Sequence, residues 1–329
     1  MKLFISILTA LFLLNANAQK ETAILFIGNS YTFYNDMPGI VQKLGQANNL
    51  SVFVDTVVQG GKNLKYHSEQ SKTYEKIKSR DWDYIVIQGH SSEFAQPESV
   101  IKTNSIPYLT QIIDSINVLS PCSNKLFYMT WGYKNGNSKW APINTYGTMQ
   151  DLITKEYTKL GKDFHIGISP VGDAWQKVRS QYKNLNLYDP DLHHPSLEGS
   201  YLSACTFYSV IFKTSPFNNS AEIELPKEDR NILEGMAYST LMNNATEWNL
   251  HNRNPEIVSG FDLHSRKKTI ELYNRTTNAS SYAWCFGDGC TSEEESPVHT
   301  YQKKGTYAIT LVSSDNCHTT EITRSITID

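Results

Sequence analysis

The stretch ILFIGNSYTFYND, Ile24 to Asp36, runs four apolar residues into Gly28-Asn29-Ser30. A short β-branched and aromatic run that stops at turn residues reads as a strand buried on both faces. The same signal recurs at Val52–Val58, Tyr84–Ile87, Leu126–Thr130 and, more weakly, His165–Ser169. Helix-period segments lie between these runs, as at Pro38–Ala47 and Asn144–Leu160. Such alternation predicts an α/β domain with a mainly parallel sheet and helices on both faces. Ligands collect at the carboxyl ends of strands in that arrangement, and Ser30 lies just past the first one. Gly-Asn-Ser is also a common turn composition, so Ser30 alone is an ordinary turn hydroxyl. Whether it is a nucleophile depends on what the rest of the chain supplies.

The chain has 329 residues, enough for two domains, and its 40% hydrophobic and 19% charged content is that of a folded protein. A formal charge of -3 with no basic run argues against DNA or RNA as a partner. Lys2, the apolar run Leu3 to Leu14 and Asn15-Ala16-Asn17-Ala18 read as a signal peptide over residues 1–18. No later segment is apolar enough to serve as a membrane anchor, so a secreted or periplasmic protein is expected. Export makes the 5 cysteines candidates for disulfides. Cys285 and Cys290 flank the turn Phe286-Gly287-Asp288-Gly289, and a pair across it is the simplest expectation. Nothing in the cysteine or histidine spacing suggests a metal site.

After Trp248 the pattern changes. A polar connector at 250–256 leads into short Thr- and Ser-rich runs, including Thr269–Leu272, Tyr307–Val312 and Ile322–Ile328. Turn signals separate them, which predicts a small all-β sandwich over 257–329.

A base is the next requirement for chemistry at Ser30. In YDPDLHHPSLEGSYLSAC, Asp191-Leu192-His193-His194-Pro195 precedes a helix whose residues Leu197, Tyr201, Ala204, Cys205 and Tyr208 share one face. A carboxylate three residues before an imidazole can fold back and hold its Nδ1–H, which fixes the tautomer and stabilises the imidazolium. Pro195 biases His194 toward extended backbone and so separates it from the helix. The competing reading is that Asp191 caps the helix. The elbow G-x-S-x-G is absent, because Thr32 occupies its last position.

Together these residues resemble the SGNH (GDSL-type) hydrolases, which implies a flavodoxin-like three-layer α/β/α fold over residues 19–249. Gly28-Asn29-Ser30 matches the first block with Asn for Asp, Gly61 (or Gly60) in VVQGGKNL matches the second, and Asp191 with His194 matches the last. FYMTWGYKNG and SPVGDAW resemble segments of a bacterial subgroup of this family. The resemblance implies Ser30 as nucleophile, His194 as base and Asp191 as its orienting acid, with no metal or organic cofactor. It implies an oxyanion site from the N–H groups of Ser30 and Gly61 and one side chain. The usual asparagine of the third block is missing from YIVIQGHSSEF, which leaves Gln88, Ser91 and His90 as candidates. Asn29 and His193 are candidate substrate contacts.

The segment YAWCFGDGCTSEEESPVHTYQKKGTYAITLV resembles the PKD domain, an Ig-like sandwich of exported bacterial proteins, with Cys285 where that family has Asp. Trp284 in it reads as core before it reads as a sugar platform. The expected function is a secreted serine esterase that deacetylates a carbohydrate or polysaccharide. The alternatives are a lipid or aryl esterase on the same residues, or an inactive exported binding protein. The expected partner is a small ester or an acylated polysaccharide.

Overall fold

The computed structural model describes residues 20–243, 246–250 and 257–329, so the expected signal peptide lies outside the described residues. Five strands, β1 (Thr22–Gly28), β2 (Val52–Val58), β3 (Tyr84–Ile87), β4 (Asn124–Tyr128) and β5 (Gly167–Ser169), form one sheet in the order β2-β1-β3-β4-β5. Every neighbouring pair is parallel. The period of two along these runs explains the layers. Ile24, Phe26, Val86, Leu126 and Tyr128 face one core, and Leu25, Ile27, Ile85, Ile87 and Phe127 face the other. Helices cover both faces, which is why the central strands β1 and β3 are almost wholly apolar.

The first core is closed by α2 (Met37–Ala47), α8 (Val171–Gln181), α9 (Leu197–Phe212) and α10 (Lys227–Asn243). The second is closed by α3 (Leu64–Ser68), α4 (Ser71–Lys78), α5 (Glu98–Asn104), α6 (Ile106–Leu119) and α7 (Tyr146–Asp163). The short helix α1 (Ser30–Phe33) follows β1 directly. One expectation changes here. The helix after His194 is α9, and it is buried on all sides from Gly199 to Ile211 rather than along one face. It lies between α2, α8 and α10 as the central helix of its layer.

Strand order reverses between β1 and β3, because β2 lies on the far side of β1. The segments after β1, β2 and β3 therefore converge at the carboxyl edge of the sheet, where such folds place ligands. Gly28 makes the convergence tight. A Cβ there would sit 2.5 Å from Gln88 Oε1 and 2.6 Å from Thr32 Oγ1, so only glycine fits.

The C-terminal strands form two antiparallel sheets. In one, β6 (Phe261–Arg266), β7 (Thr269–Asn274) and β10 (Val298–Thr300) run in the order β10-β7-β6. In the other, β8 (Ser281–Cys285), β9 (Thr291–Ser292), β11 (Gly305–Ser314) and β12 (Thr319–Ile328) run in the order β12-β11-β8-β9. Phe261, Ile270, Leu272, Trp284, Phe286, Ile309 and Leu311 fill the space between them. Trp284 is 1% exposed and its indole N–H donates to the Glu294 carbonyl, which makes it a core residue. The expected Cys285–Cys290 bridge is not formed. Both thiols are free and exposed, and the disulfide joins Cys122 to Cys317, 195 residues apart. It ties the turn between α6 and β4 to the turn between β11 and β12. Leu250, read as connector, packs on both cores of the α/β domain, and 251–256 lie outside the described residues. Among the described residues no helix is long and apolar enough to cross a membrane.

Candidate active site

Ser30 is the first residue of α1, and its hydroxyl lies 2.8 Å from His194 Nε2. His194 Nδ1 is 2.5 Å from Asp191 Oδ2. The ionised carboxylate only accepts hydrogen bonds, so Nδ1 carries the proton and Nε2 is left to accept from Ser30. The other oxygen of Asp191 accepts from the backbone N–H of His193 (3.0 Å) and His194 (2.9 Å). Burial alone would raise the Asp191 pKa, but the bonds from the His194 ring and these two N–H groups outweigh it and hold the carboxyl well below the usual range. Asp191 does not cap α9. Ser196 does, through its hydroxyl and the Gly199 N–H.

The loop carrying His194 is fixed on several sides. Leu192 adopts a left-handed backbone with φ of 70°, and its carbonyl accepts from Lys134 N. Trp131 donates its indole N–H to the His193 carbonyl. Behind Ser30, Tyr31 stacks on Trp131 at 4.5 Å, and Trp131 stacks on Trp175 at 3.9 Å. The ring of Tyr34 lies parallel to the His194 imidazole, 4.2 Å away and tilted by 4°.

The oxyanion candidates divide. The N–H of Ser30 and that of Gly61 make no hydrogen bond among the described residues, and both residues line one cavity. Gly61 holds φ of +67°, a conformation that favours glycine, whereas Gly60 has no such requirement. Gln88 is excluded. It is 1% exposed, its Oε1 accepts from Asn29 N and Thr32 Oγ1, and its Nε2 donates to Asn29 Oδ1 and the Gly89 carbonyl. An amide spent in this way has no donor left for a ligand. Ser91 and His90 both line the cavity, and Ser91 Oγ is 2.9 Å from the Tyr133 hydroxyl. Burial, and then the nearby His193, push the His90 pKa down.

Asn29 lines the same cavity, and its side chain is also tied into the framework. Its Oδ1 accepts from Tyr31 N and Gln88 Nε2, and its Nδ2 donates to the Lys62 carbonyl. It thus joins the segments after β1, β2 and β3. Glu93 supports the same place from below, where its Oε2 accepts from the backbone N–H of His90 and Leu64. His193 lines the cavity, with Nδ1 2.7 Å from Asp191 Oδ1. The cavity encloses about 440 Å³, and Phe33, Tyr34 and Tyr133 form much of its wall. These aromatic residues were not singled out from the sequence. The signal available was the aromatic density of SYTFY immediately after the serine.

Residues 252–329 match the family model of the PKD domain. Thirty-six residues of the chain are 50% identical to a collagenase of Bacillus cereus, a stretch that covers 11% of the chain and only 4% of that enzyme. A DUF4886 family protein from Bacteroides uniformis superposes with a TM-score of 0.60 at 19% identity, over 68% of this chain and 95% of that one. A candidate SGNH hydrolase from Slackia heliotrinireducens gives 0.47 at 23% identity, over 58% and 98%. The N-terminal domain has a flavodoxin-like fold, a parallel sheet between two helical layers, which it shares with the DUF4886 family protein. The C-terminal domain is a PKD domain.

Proposed function

We propose that the protein is an exported serine esterase that works through an acyl-enzyme on Ser30. The observation that carries this reading is the unbroken line Ser30 Oγ, His194 Nε2, His194 Nδ1, Asp191 Oδ2. Ser30 Oγ attacks the ester carbonyl while its proton passes to His194 Nε2. Asp191 stabilises the imidazolium so formed. Charge on the carbonyl oxygen is met by the N–H groups of Ser30 and Gly61, with Ser91 or His90 as the third donor. The imidazolium then protonates the departing alcohol, and water, deprotonated by the same ring, releases the acid from Ser30.

The acyl group is read as acetyl and the alcohol as a carbohydrate. A cavity of about 440 Å³ has room for an acetyl group with part of a sugar beside it, and the rim offers Phe33, 40% exposed, as a face for a sugar ring. Export rests on the leader at 1–18 and on the Cys122–Cys317 disulfide, which suits an oxidising compartment. We set the hydrolase domain at 19–249, the connector at 250–256 and the PKD domain at 257–329. Turnover of p-nitrophenyl acetate and p-nitrophenyl octanoate tests the reading. The wild type should prefer acetate, and Ser30→Ala should fall to background. Equal rates for wild type and Ser30→Ala would exclude Ser30 as nucleophile, and a preference for octanoate would favour a lipid esterase.

A further inference from the structure

Serine and histidine come to the site on segments 164 residues apart, and their alignment needs a direct link between those segments. Tyr34 and Asn35 form one. The Tyr34 ring lies flat on the His194 imidazole, 4.2 Å away. Asn35 Nδ2 donates to the Pro195 carbonyl (3.1 Å) and to Ser200 Oγ (3.0 Å), and Ser200 Oγ donates to the Tyr34 carbonyl (3.2 Å). One short turn therefore grips the residue after His194, the first turns of α9 and the imidazole face itself.

The backbone of this turn is unusual. Asn35 (φ 52°, ψ 26°) and Asp36 (φ 51°, ψ 45°) are consecutive non-glycine residues in the left-handed region. Such conformations are held only where surrounding contacts over-determine them, and they cluster at functional sites. Here the holding contacts are the Asn35 bonds to Pro195 and Ser200 and the bond from Gly39 N to Asp36 Oδ1 that starts α2.

We propose that Tyr34 and Asn35 are positioning residues that lock the His194 ring in line with Ser30, an inference that rests on the esterase reading. Asp191 fixes the ring at Nδ1 but leaves it free to rock about that bond. Stacking with Tyr34 closes this freedom from one face, and Asn35 sets the height of the Tyr34 turn against the His194 loop. Small errors of placement at reacting atoms are costly, up to about a hundredfold in rate for about 1 Å.

The test is steady-state kinetics on p-nitrophenyl acetate and on ethyl acetate, with melting temperature measured for each variant. Tyr34→Ala should lower kcat by roughly 10- to 100-fold with KM within about threefold. Tyr34→Phe, which keeps the ring, should stay within about twofold of wild type. Asn35→Gly retains the left-handed backbone but loses both hydrogen bonds, and should lower kcat about tenfold. Because both act through one imidazole, the double variant should lose less than the product of the two. The loss should be at least as large on ethyl acetate, whose alcohol needs the proton from His194, as on p-nitrophenyl acetate, whose phenolate leaves without it. A loss confined to KM would make Tyr34 a substrate contact and overturn the proposal. So would Tyr34→Phe failing like Tyr34→Ala, and this comparison remains decisive where Tyr34→Ala does not fold. An active wild type with unaffected variants sinks the strap alone; a folded but inactive wild type sinks the esterase reading and the strap with it.

Discussion

The chain folds the same Asp-x-x-His turn twice. In the α/β domain, Asp191 Oδ1 accepts from the N–H groups of His193 and His194, and Oδ2 meets His194 Nδ1. In the PKD domain, Asp315 Oδ1 accepts from Cys317 and His318, and Oδ2 lies 3.3 Å from His318 Nδ1. Both carboxyls are held below their ordinary range. For Asp315 the first cause is the Cys317 N–H, and for Asp191 the same kind of bonds overcome an opposing burial. The difference lies at the far nitrogen. His194 Nε2 meets Ser30 Oγ beside a cavity, whereas His318 Nε2 has no hydroxyl partner among the described residues. The turn is thus a local structure any such sequence can adopt. Chemistry enters only when the fold delivers a third residue from elsewhere.

Changes at the two turns should separate these roles, and the largest effect is at the acid. Asp191→Asn should cut kcat by on the order of 10⁴-fold, through loss of the correct tautomer and of imidazolium stabilisation. Asp315→Asn should leave kcat on p-nitrophenyl acetate unchanged within about twofold and lower only the melting temperature. A matching loss at Asp315 would erase the distinction. The next effect concerns the oxyanion. Of Ser91→Ala and His90→Ala, the one that removes the third donor should lose about 10²- to 10³-fold in kcat, with the other near wild type. If both are near wild type, two backbone N–H groups suffice.

The smallest effect comes from a histidine with no acid at all. His67 is 1% exposed, and burial outweighs the opposing influence of the Gly28 backbone beside its ring. Burial lowers its pKa below 6.5, so folding favours the neutral ring. Its contribution to stability is complete above pH 6.5 and is lost as pH falls from there through the folded-state value. Stability measured by urea denaturation should therefore fall with pH across that window by up to about 1.4 kcal/mol per pH unit. His67→Leu should flatten the dependence, and an unchanged slope would mean other groups govern it.

Much of the fold was legible because its signals are local. The β2 and β3 runs match their strands, and the α2 segment differs by one residue at its start. The resemblance named Ser30, Gly61, Asp191 and His194; the structure brings Ser30, His194 and Asp191 into contact and places Gly61 on the same cavity. Gln88 was misjudged because sequence shows an amide but not its direction, and here both its atoms turn inward to Asn29, Thr32 and Gly89. The cysteine pairing was missed for a similar reason. Cys285 and Cys290 are near in sequence, yet the bond that forms joins Cys122 to Cys317 because the two domains bring those turns together. Tyr34 was invisible as a partner of His194, since stacking across 160 residues leaves no trace in local pattern.

The most direct measurement is covalent labelling of the folded full-length protein by a fluorophosphonate, followed by peptide mapping. The account predicts one adduct, on the peptide carrying Ser30, absent in Ser30→Ala, strongly slowed in His194→Ala and unaffected in His318→Ala. A folded protein that takes no label, or one labelled equally after Ser30→Ala, would contradict it.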